Sequence, residues 1–354
     1  MTQLTLLRPD DWHLHVRDGA QLASVVPFTA RQFARAVIMP NLKPPVTTVT
    51  AAAAYRERIL QAVPAGHRFE PLMTLYLTDT TSPKEIHAAK ASGFIVGAKL
   101  YPSGATTNSD AGVTAIEKIF PVLEAMQQAD LVFQVHGEVT EPSVDVFDRE
   151  RVFIDRIMGR VVEKFPQLRV VFEHVTTREG VQFVKSARPG VGATITPQHL
   201  LLNRNAIFQG GIRPHNYCLP VLKREHDRQA LEDAATSDDP RFFLGTDSAP
   251  HARHTKENAC GCAGVFSAHA AIELYAEAFE SAGRLDRLQA FASERGPDFY
   301  GLPRNTSRIT LNRTAWTPPA VYRFAGDELT PFRAGETIAW QMAEDTLFGN
   351  SRLE

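Results

Sequence analysis

Phe94-Ile95-Val96-Gly97-Ala98-Lys99-Leu100 is an apolar run with a single charge near its end. It does not alternate apolar with polar residues, as a strand with one wet face would. Its composition is that of a strand covered on both faces, which is the habit of parallel sheets. Similar runs lie on either side: Trp12–Val16, Ala36–Pro40, Pro71–Leu77, Leu131–His136, Arg169–His174, Val191–Thr196 and Phe242–Thr246. Between them, helical spacing is read over Thr50–Ala62, Pro83–Ala91, Val113–Ala129, Arg149–Lys164, Lys223–Ala235 and Gly264–Ala282. Strand and helix alternate about every 30 residues, as in a βαβ series. Eight such units in about 250 residues predict an α/β fold, a (β/α)8 TIM barrel. The competing architecture is an open doubly wound sheet, but the Gly-rich dinucleotide fingerprint is missing after the first run. The barrel is expected to span residues 1–284. Beyond it, Arg284–Ser293, the turn-rich Pro303–Pro319 and the short run Ala320–Phe324 break the rhythm. Residues 285–354 are therefore read as a C-terminal extension packed on the barrel, within the same domain.

Six polar residues fall at or just past the ends of these runs: His13, His15, Lys99, His136, His174 and Asp247. In an extended chain, residues i and i+2 point the same way, so His13 and His15 can reach one ion. A His-x-His pair alone is common among ordinary surface and core histidines. The force of this one comes from the rest of the set. A (β/α)8 barrel builds its site at the C-terminal ends of its strands, so residues far apart in sequence converge on one mouth.

The chain has 354 residues and a formal net charge of −2. That length fits one barrel with an extension. With no Lys/Arg-rich run, nothing points to nucleic acid. No apolar stretch approaches the roughly 18 residues of a membrane helix, so no membrane association is expected. The start, Met1-Thr2-Gln3-Leu4, lacks the basic segment and apolar core of a signal peptide. Three cysteines, two of them one residue apart, do not make a disulfide framework. The expectation is a cytoplasmic enzyme acting on a small molecule.

Four histidines and a carboxylate suit Zn²⁺ or a similar divalent ion. Five such ligands exceed what one catalytic zinc takes, and two metals fit better. Lys99 is then anomalous. A buried, unpaired ammonium in an apolar strand is costly. Either an acidic neighbour pairs with it, or its neutral amine has reacted with carbon dioxide to give a carbamate that bridges the metals. Arg17, two residues after His15, can point into the same mouth, and a guanidinium binds a carboxylate with two parallel hydrogen bonds. His251, His254, Cys260 and Cys262 could form a structural zinc knot, although Cys-x-Cys is unusual spacing for one. His67, His87, His199, His215, His226 and His269 are read as surface or core histidines.

The chain resembles the class II dihydroorotases, a short bacterial kind within the amidohydrolase superfamily, almost end to end. The landmarks are Arg8-Pro9-Asp10-Asp11-Trp12-His13-Leu14-His15-Val16-Arg17-Asp18-Gly19, Met39-Pro40-Asn41-Leu42, Gly97-Ala98-Lys99-Leu100-Tyr101-Pro102, His136-Gly137-Glu138 and Glu173-His174. Near the end stand Gly245-Thr246-Asp247-Ser248-Ala249-Pro250-His251 and Cys260-Gly261-Cys262-Ala263-Gly264. The resemblance implies two Zn²⁺ per subunit, or other divalent ions in their place. His13, His15 and Asp247 would hold one, and His136 and His174 the other. Lys99, as N6-carboxylysine, and a hydroxide would bridge them. It implies reversible cyclisation of N-carbamoyl-L-aspartate to L-dihydroorotate in pyrimidine synthesis, with Asp247 as general acid and base.

By the same resemblance, Arg17 and Asn41 grip the substrate's free carboxylate. His251, His15 and His136 belong to the substrate pocket, and Leu219 and Ala263 touch the substrate through backbone groups. Tyr101–Ser109 would be a lid whose Thr106 and Thr107 hydroxyls reach the substrate. A homodimer is also implied. The alternative is another cyclic-amide hydrolase, of hydantoinase or allantoinase type. Those relatives generally lack the Arg after His-x-His and carry a β-domain built from both termini. With His13 so near the start, no N-terminal stretch is expected here to form half of one. A catalytically dead relative should have lost a ligand, and none of the six is lost.

Overall fold

The computed structural model describes residues 2–259 and 261–343. After an outlying strand β1 (Gln3–Leu7) come β2 (Asp10–Leu14), β3 (Arg35–Ile38), β4 (Glu70–Tyr76), β5 (Ile95–Leu100), β6 (Val132–Val135), β7 (Val170–Phe172), β8 (Val191–Ile195) and β9 (Phe242–Leu244). β2 to β9 form one eight-stranded sheet in chain order, and every pairing is parallel. The sheet closes just past β9, where Leu14 bridges Ser248 in parallel. There the amide of Asp247 donates to His13 O at 2.9 Å, and the amide of His15 to Ser248 O at 3.0 Å. The predicted (β/α)8 barrel is the observed fold.

Helices lie outside, and their ends follow local chemistry. Pro83–Ser92 starts at Ser82, whose hydroxyl accepts the Glu85 amide, and stops at Gly93 with φ 77°. Arg178–Ser186 starts at Thr177, whose hydroxyl accepts the Gly180 amide. The apolar faces of these helices and the outward side chains of the strands make one continuous core. A second cluster fills the barrel's interior near the strand starts: Trp12, Val37, Leu72, Val132, Val171 and Phe243.

Several expected elements differ in extent. The runs Trp12–Val16, Arg169–His174 and Phe242–Thr246 overshoot the strands at their C-terminal ends. Arg17, His174 and Asp247 have φ of 59°, 40° and 44°, which no strand residue adopts. The expected helix over Gly264–Ala282 begins only at Ala271. Before it, Gly264 sits at φ 153°, Val265 bridges Ser248, and the amides of Ser267 and Ala268 donate to Ser248 Oγ. The helix expected from Val113 begins at Phe120, after a 3-10 turn over Ile116–Ile119.

The C-terminal part does two things. Its helix Arg295–Tyr300 plugs the floor of the barrel. Tyr300 stacks on Trp12 with ring centroids 4.4 Å apart, and its hydroxyl accepts from Gln134 at 2.9 Å. Gly296 is needed there, since a Cβ would lie 1.9 Å from Trp12 Nε1. Further on, β10 (Arg308–Asn312) pairs antiparallel with β1 and with β13 (Gln341–Met342), while β11 (Tyr322–Phe324) and β12 (Asp327–Leu329) form a hairpin. The small sheet thus draws on both ends of the chain. The expectation that nothing ahead of His13 could supply half of such a sheet is corrected: Gln3–Leu7 is enough, in register from Gln3↔Asn312 to Leu7↔Arg308. Among the described residues no helix is long and apolar enough to cross a membrane. With its floor plugged, the barrel is left open at the C-terminal ends of the strands.

Candidate active site

All six predicted cluster residues face that open end. His13 is the next-to-last residue of β2 and His15 follows the strand, and their Nε2 atoms lie 3.4 Å apart. Asp247 Oδ1 stands 3.4 Å from His13 Nε2 and 3.1 Å from His15 Nε2. These three residues offer ligand atoms all within 4.8 Å of one another. The His174 ring is centred 5.0 Å from that of His13 and 4.8 Å from that of His136, so the imidazoles form a continuous chain. Lys99, on β5, is fully buried, and its ammonium has no hydrogen-bond partner. It sits 5.3 Å from the centre of the Tyr101 ring.

Burial sets the charge states. It draws His15 down to about 4 and His174 well below the usual imidazole range, so both keep a free lone pair. For Asp247, burial alone would raise the pKa. The charge of His13 and hydrogen bonds from His13 and His15 outweigh it and hold the carboxylate well below its usual range. Burial lowers Lys99 to about 8, against the opposing pull of Glu173 and Asp247. Imidazoles with free lone pairs, an ionised carboxylate and an unpartnered amine fit divalent cations of the zinc type. Orphaned polar atoms support that fit: Lys99 Nζ and His174 Nδ1 are buried without a hydrogen-bond partner.

Three buried carboxylates hold the cluster, and the sequence reading gave them no role. Glu173 Oε2 lies 2.8 Å from His13 Nδ1 and accepts the Thr194 hydroxyl at 2.7 Å. Glu138 Oε2 lies 2.8 Å from His136 Nε2. Asp11 accepts the amides of His13 and Thr246 and the Thr246 hydroxyl, at 3.1, 2.9 and 2.6 Å. Each fixes an imidazole or its backbone, as carboxylates behind metal-binding histidines do. A sequence signal existed: a Glu directly before His174, another two residues after His136, and an Asp two residues before His13. Gly245 completes the close fit, since a Cβ there would come 2.7 Å from Thr194 Cβ and 3.1 Å from His13 Cβ.

Beside the cluster opens a small cavity lined by His15, Arg17, Asn41, Thr106, Thr107, Leu219, Asp247, Ala249, Ala263 and Gly264. It gathers the predicted pocket residues, apart from His136 and His251. His136 stands on the cluster side. His251 stands behind Arg17, its Nε2 2.8 Å from Arg17 Nη2 and 3.0 Å from Ala263 O. Arg17 Nε donates to Pro250 O at 2.8 Å. The Tyr101–Ser109 segment is folded in over the cavity. Asn41 Nδ2 donates to Thr107 O and Asn108 Nδ2 to Asn41 O, both at 3.0 Å, and the Thr107 hydroxyl donates to Ala263 O at 3.3 Å.

Among the described residues, His251, His254 and Cys262 do not form a metal-holding group. His251 faces Arg17, His254 pairs with Asp327 at 3.4 Å, and Cys260 lies outside the described residues. Of the other histidines, His199 and His269 are buried, while His215 meets Glu257 and His226 meets Asp227.

The sequence model of the amidohydrolase family matches residues 11–317. The chain belongs to that family. Dihydroorotase from Aromatoleum aromaticum is 66% identical over 343 residues, covering 97% of this chain and all 100% of that protein. Among solved structures, dihydroorotase from Campylobacter jejuni matches with a TM-score of 0.88 at 36% identity, covering 97% of this chain and 98% of that one. Dihydroorotase from Saccharomyces cerevisiae, in complex with 5-fluoroorotic acid, matches with a TM-score of 0.89 at 33% identity, covering 97% and 99%. Within the amidohydrolases, the chain is a member of the dihydroorotases.

Proposed function

We propose that this chain catalyses the reversible cyclisation of N-carbamoyl-L-aspartate to L-dihydroorotate, with release of water, in pyrimidine biosynthesis. The observation that carries the reading is the double position of Asp247. Its carboxylate belongs to the His13–His15 cluster and also lines the cavity that holds Arg17 and Asn41. A proton carrier at that point stands between the cluster and any carboxylate-bearing substrate.

Two divalent ions, zinc in kind, would be held by His13, His15, Lys99, His136, His174 and Asp247, and would supply an activated water and polarise the ring carbonyl. Lys99 serves best as N6-carboxylysine. A carbamate turns an unpartnered buried cation into a two-oxygen anion facing His13 and His174. In hydrolysis, Asp247 Oδ1 takes the proton of the attacking water and hands it to the leaving ring nitrogen; in cyclisation it runs the transfer backwards. Arg17 receives the free carboxylate through paired N–H donors, with the Asn41 amide beside it. Backbone groups of Leu219 and Ala263 orient the ring, and Thr106 and Thr107 close the cavity against water. Arg17 argues against a hydantoinase-type reading, whose ring carries no carboxylate. By the same resemblance the proposed enzyme is a cytoplasmic homodimer, and the free thiols of Cys218 and Cys262 accord with a reducing compartment.

Purified, zinc-supplied protein should hydrolyse L-dihydroorotate and leave hydantoin and allantoin untouched. Turnover of hydantoin without turnover of dihydroorotate would overturn the proposal. Asp247→Asn should lose far more turnover than bound metal. Near-normal turnover by that variant would remove the proton-carrying role.

A further inference from the structure

Lys256 ends the short helix Arg253–Lys256 and is only 4% exposed. Its three ammonium protons go to three backbone carbonyls: Tyr217 O at 3.1 Å, Cys262 O at 2.8 Å and Gly264 O at 2.6 Å. Those carbonyls belong to two separate segments. One leads into Leu219 and the other brackets Ala263, and both residues line the cavity beside Arg17. The amide of Gly264 also donates to Tyr217 O at 3.0 Å, so the segments touch where the ammonium clasps them.

Lys256 makes no ion pair among the described residues. Burial lowers its pKa to about 8, Cys218 and Cys262 act to raise it, and Arg17 acts to lower it. No carboxylate stands among these influences, so an uncompensated buried cation remains at neutral pH. It also acts on His251, whose ring stands against Arg17. A buried charge without a counter-ion is costly to a protein alone. It is useful where the counter-charge arrives with a ligand.

We propose that Lys256 is a positioning residue of the carboxylate pocket: its ammonium clasps the backbone segments that present Leu219 and Ala263, and adds a second buried positive charge behind Arg17. This rests on the function proposed above, in which the substrate brings carboxylates to that pocket. Hydrogen bonds from a charged donor to three neutral carbonyls fix the segments in one register.

Lys256→Met and Lys256→Gln test it. Methionine removes donors and charge; glutamine removes the charge and keeps two of the three N–H donors. The readouts are metal content, thermal midpoint, kcat, and KM for both L-dihydroorotate and N-carbamoyl-L-aspartate. We expect Lys256→Met to raise both KM values about 10- to 100-fold, the scale of one or two lost charged hydrogen bonds. Metal content should be unchanged and kcat should fall less than KM rises. Lys256→Gln should show the same pattern, more weakly. An unchanged KM in a folded Lys256→Gln protein would overturn the proposal. So would a lower thermal midpoint and kcat with KM unmoved, or the failure of both variants to fold, since either makes Lys256 a stability residue only. If the wild-type protein itself does not act on dihydroorotate, the proposed function has failed, and not the clasp.

Discussion

His13 Nδ1 lies 2.8 Å from Glu173 Oε2, on a carboxylate anchored in turn by the Thr194 hydroxyl at 2.7 Å. Both side chains are buried, so neither solvent nor salt screens the contact. It sets the His13 ring with Nδ1 on the Glu173 carboxylate and Nε2 toward Asp247. Glu173→Gln keeps the shape but offers an amide in place of the carboxylate. Zinc affinity should fall by about 10- to 100-fold, the usual cost of losing such a carboxylate. Chelator competition measures it. Wild-type affinity in Glu173→Gln would show that packing alone orients His13.

Arg17 donates from Nε to Pro250 O and faces His251 through Nη2, so its guanidinium is held at two points before any substrate arrives. Arg17→Met should cost about 2–5 kcal/mol in kcat/KM, the range for stripping one partner from a desolvated charge pair. Two metals should remain bound. Metal loss in the variant would mean that Arg17 works through the fold of the β2 loop; an unchanged kcat/KM would place it outside the site.

The Tyr101–Ser109 segment touches the opposite wall through the Thr107 hydroxyl on Ala263 O. Thr106→Ala combined with Thr107→Val removes two hydroxyls, each worth about 1–3 kcal/mol if it bonds a buried group. Turnover should drop while metal content and thermal midpoint stay put. Wild-type kinetics in the double variant would reduce the segment to a connecting loop.

Acid stability offers a test away from the cluster. Burial lowers His269 to about 3, against the raising effect of the Phe266 carbonyl. The unfolded chain binds its proton near pH 6.5, while the folded protein refuses it until about 3. Stability is therefore present above pH 6.5 and is lost as pH falls through that window, by up to about 1.4 kcal/mol per unit. His199, lowered to about 4 by burial, adds to the loss over a narrower range. His269→Phe keeps the aromatic packing against Phe266, Trp316 and Tyr322. Between pH 7 and pH 5, the wild type should lose about 2 kcal/mol more than the variant in urea unfolding. Parallel losses would mean that His269 is protonated in the folded state.

The barrel was legible because both faces of β2 to β9 are buried, which writes the strands as apolar runs. The cluster was legible because metal chemistry admits few residue types, and the barrel puts them at one end. Strand ends were not legible: His174 and Asp247 look like the continuation of apolar runs until their left-handed φ is seen. Gln3–Leu7 lies outside the strand–helix repeat that announces the barrel strands, and its partner lies some 300 residues away. The floor plug was hidden as well, because Phe299 and Tyr300 read as ordinary apolar residues of a tail. Lys256 carries no motif. A lone lysine acquires meaning only from three carbonyls brought to it by separate loops.

The place where the barrel closes is also the place where the cluster is completed. The Thr246 hydroxyl reaches back 233 positions to His13 O, and the Asp247 amide bonds the same carbonyl. During synthesis the chain emits Asp247 some 230 residues after His13 and His15. A nascent or truncated chain ending before β9 would hold the histidines and the lysine with neither the closing seam nor the carboxylate. The site is thus a late product of chain growth, available only to a polypeptide that has already joined its first strand to its last.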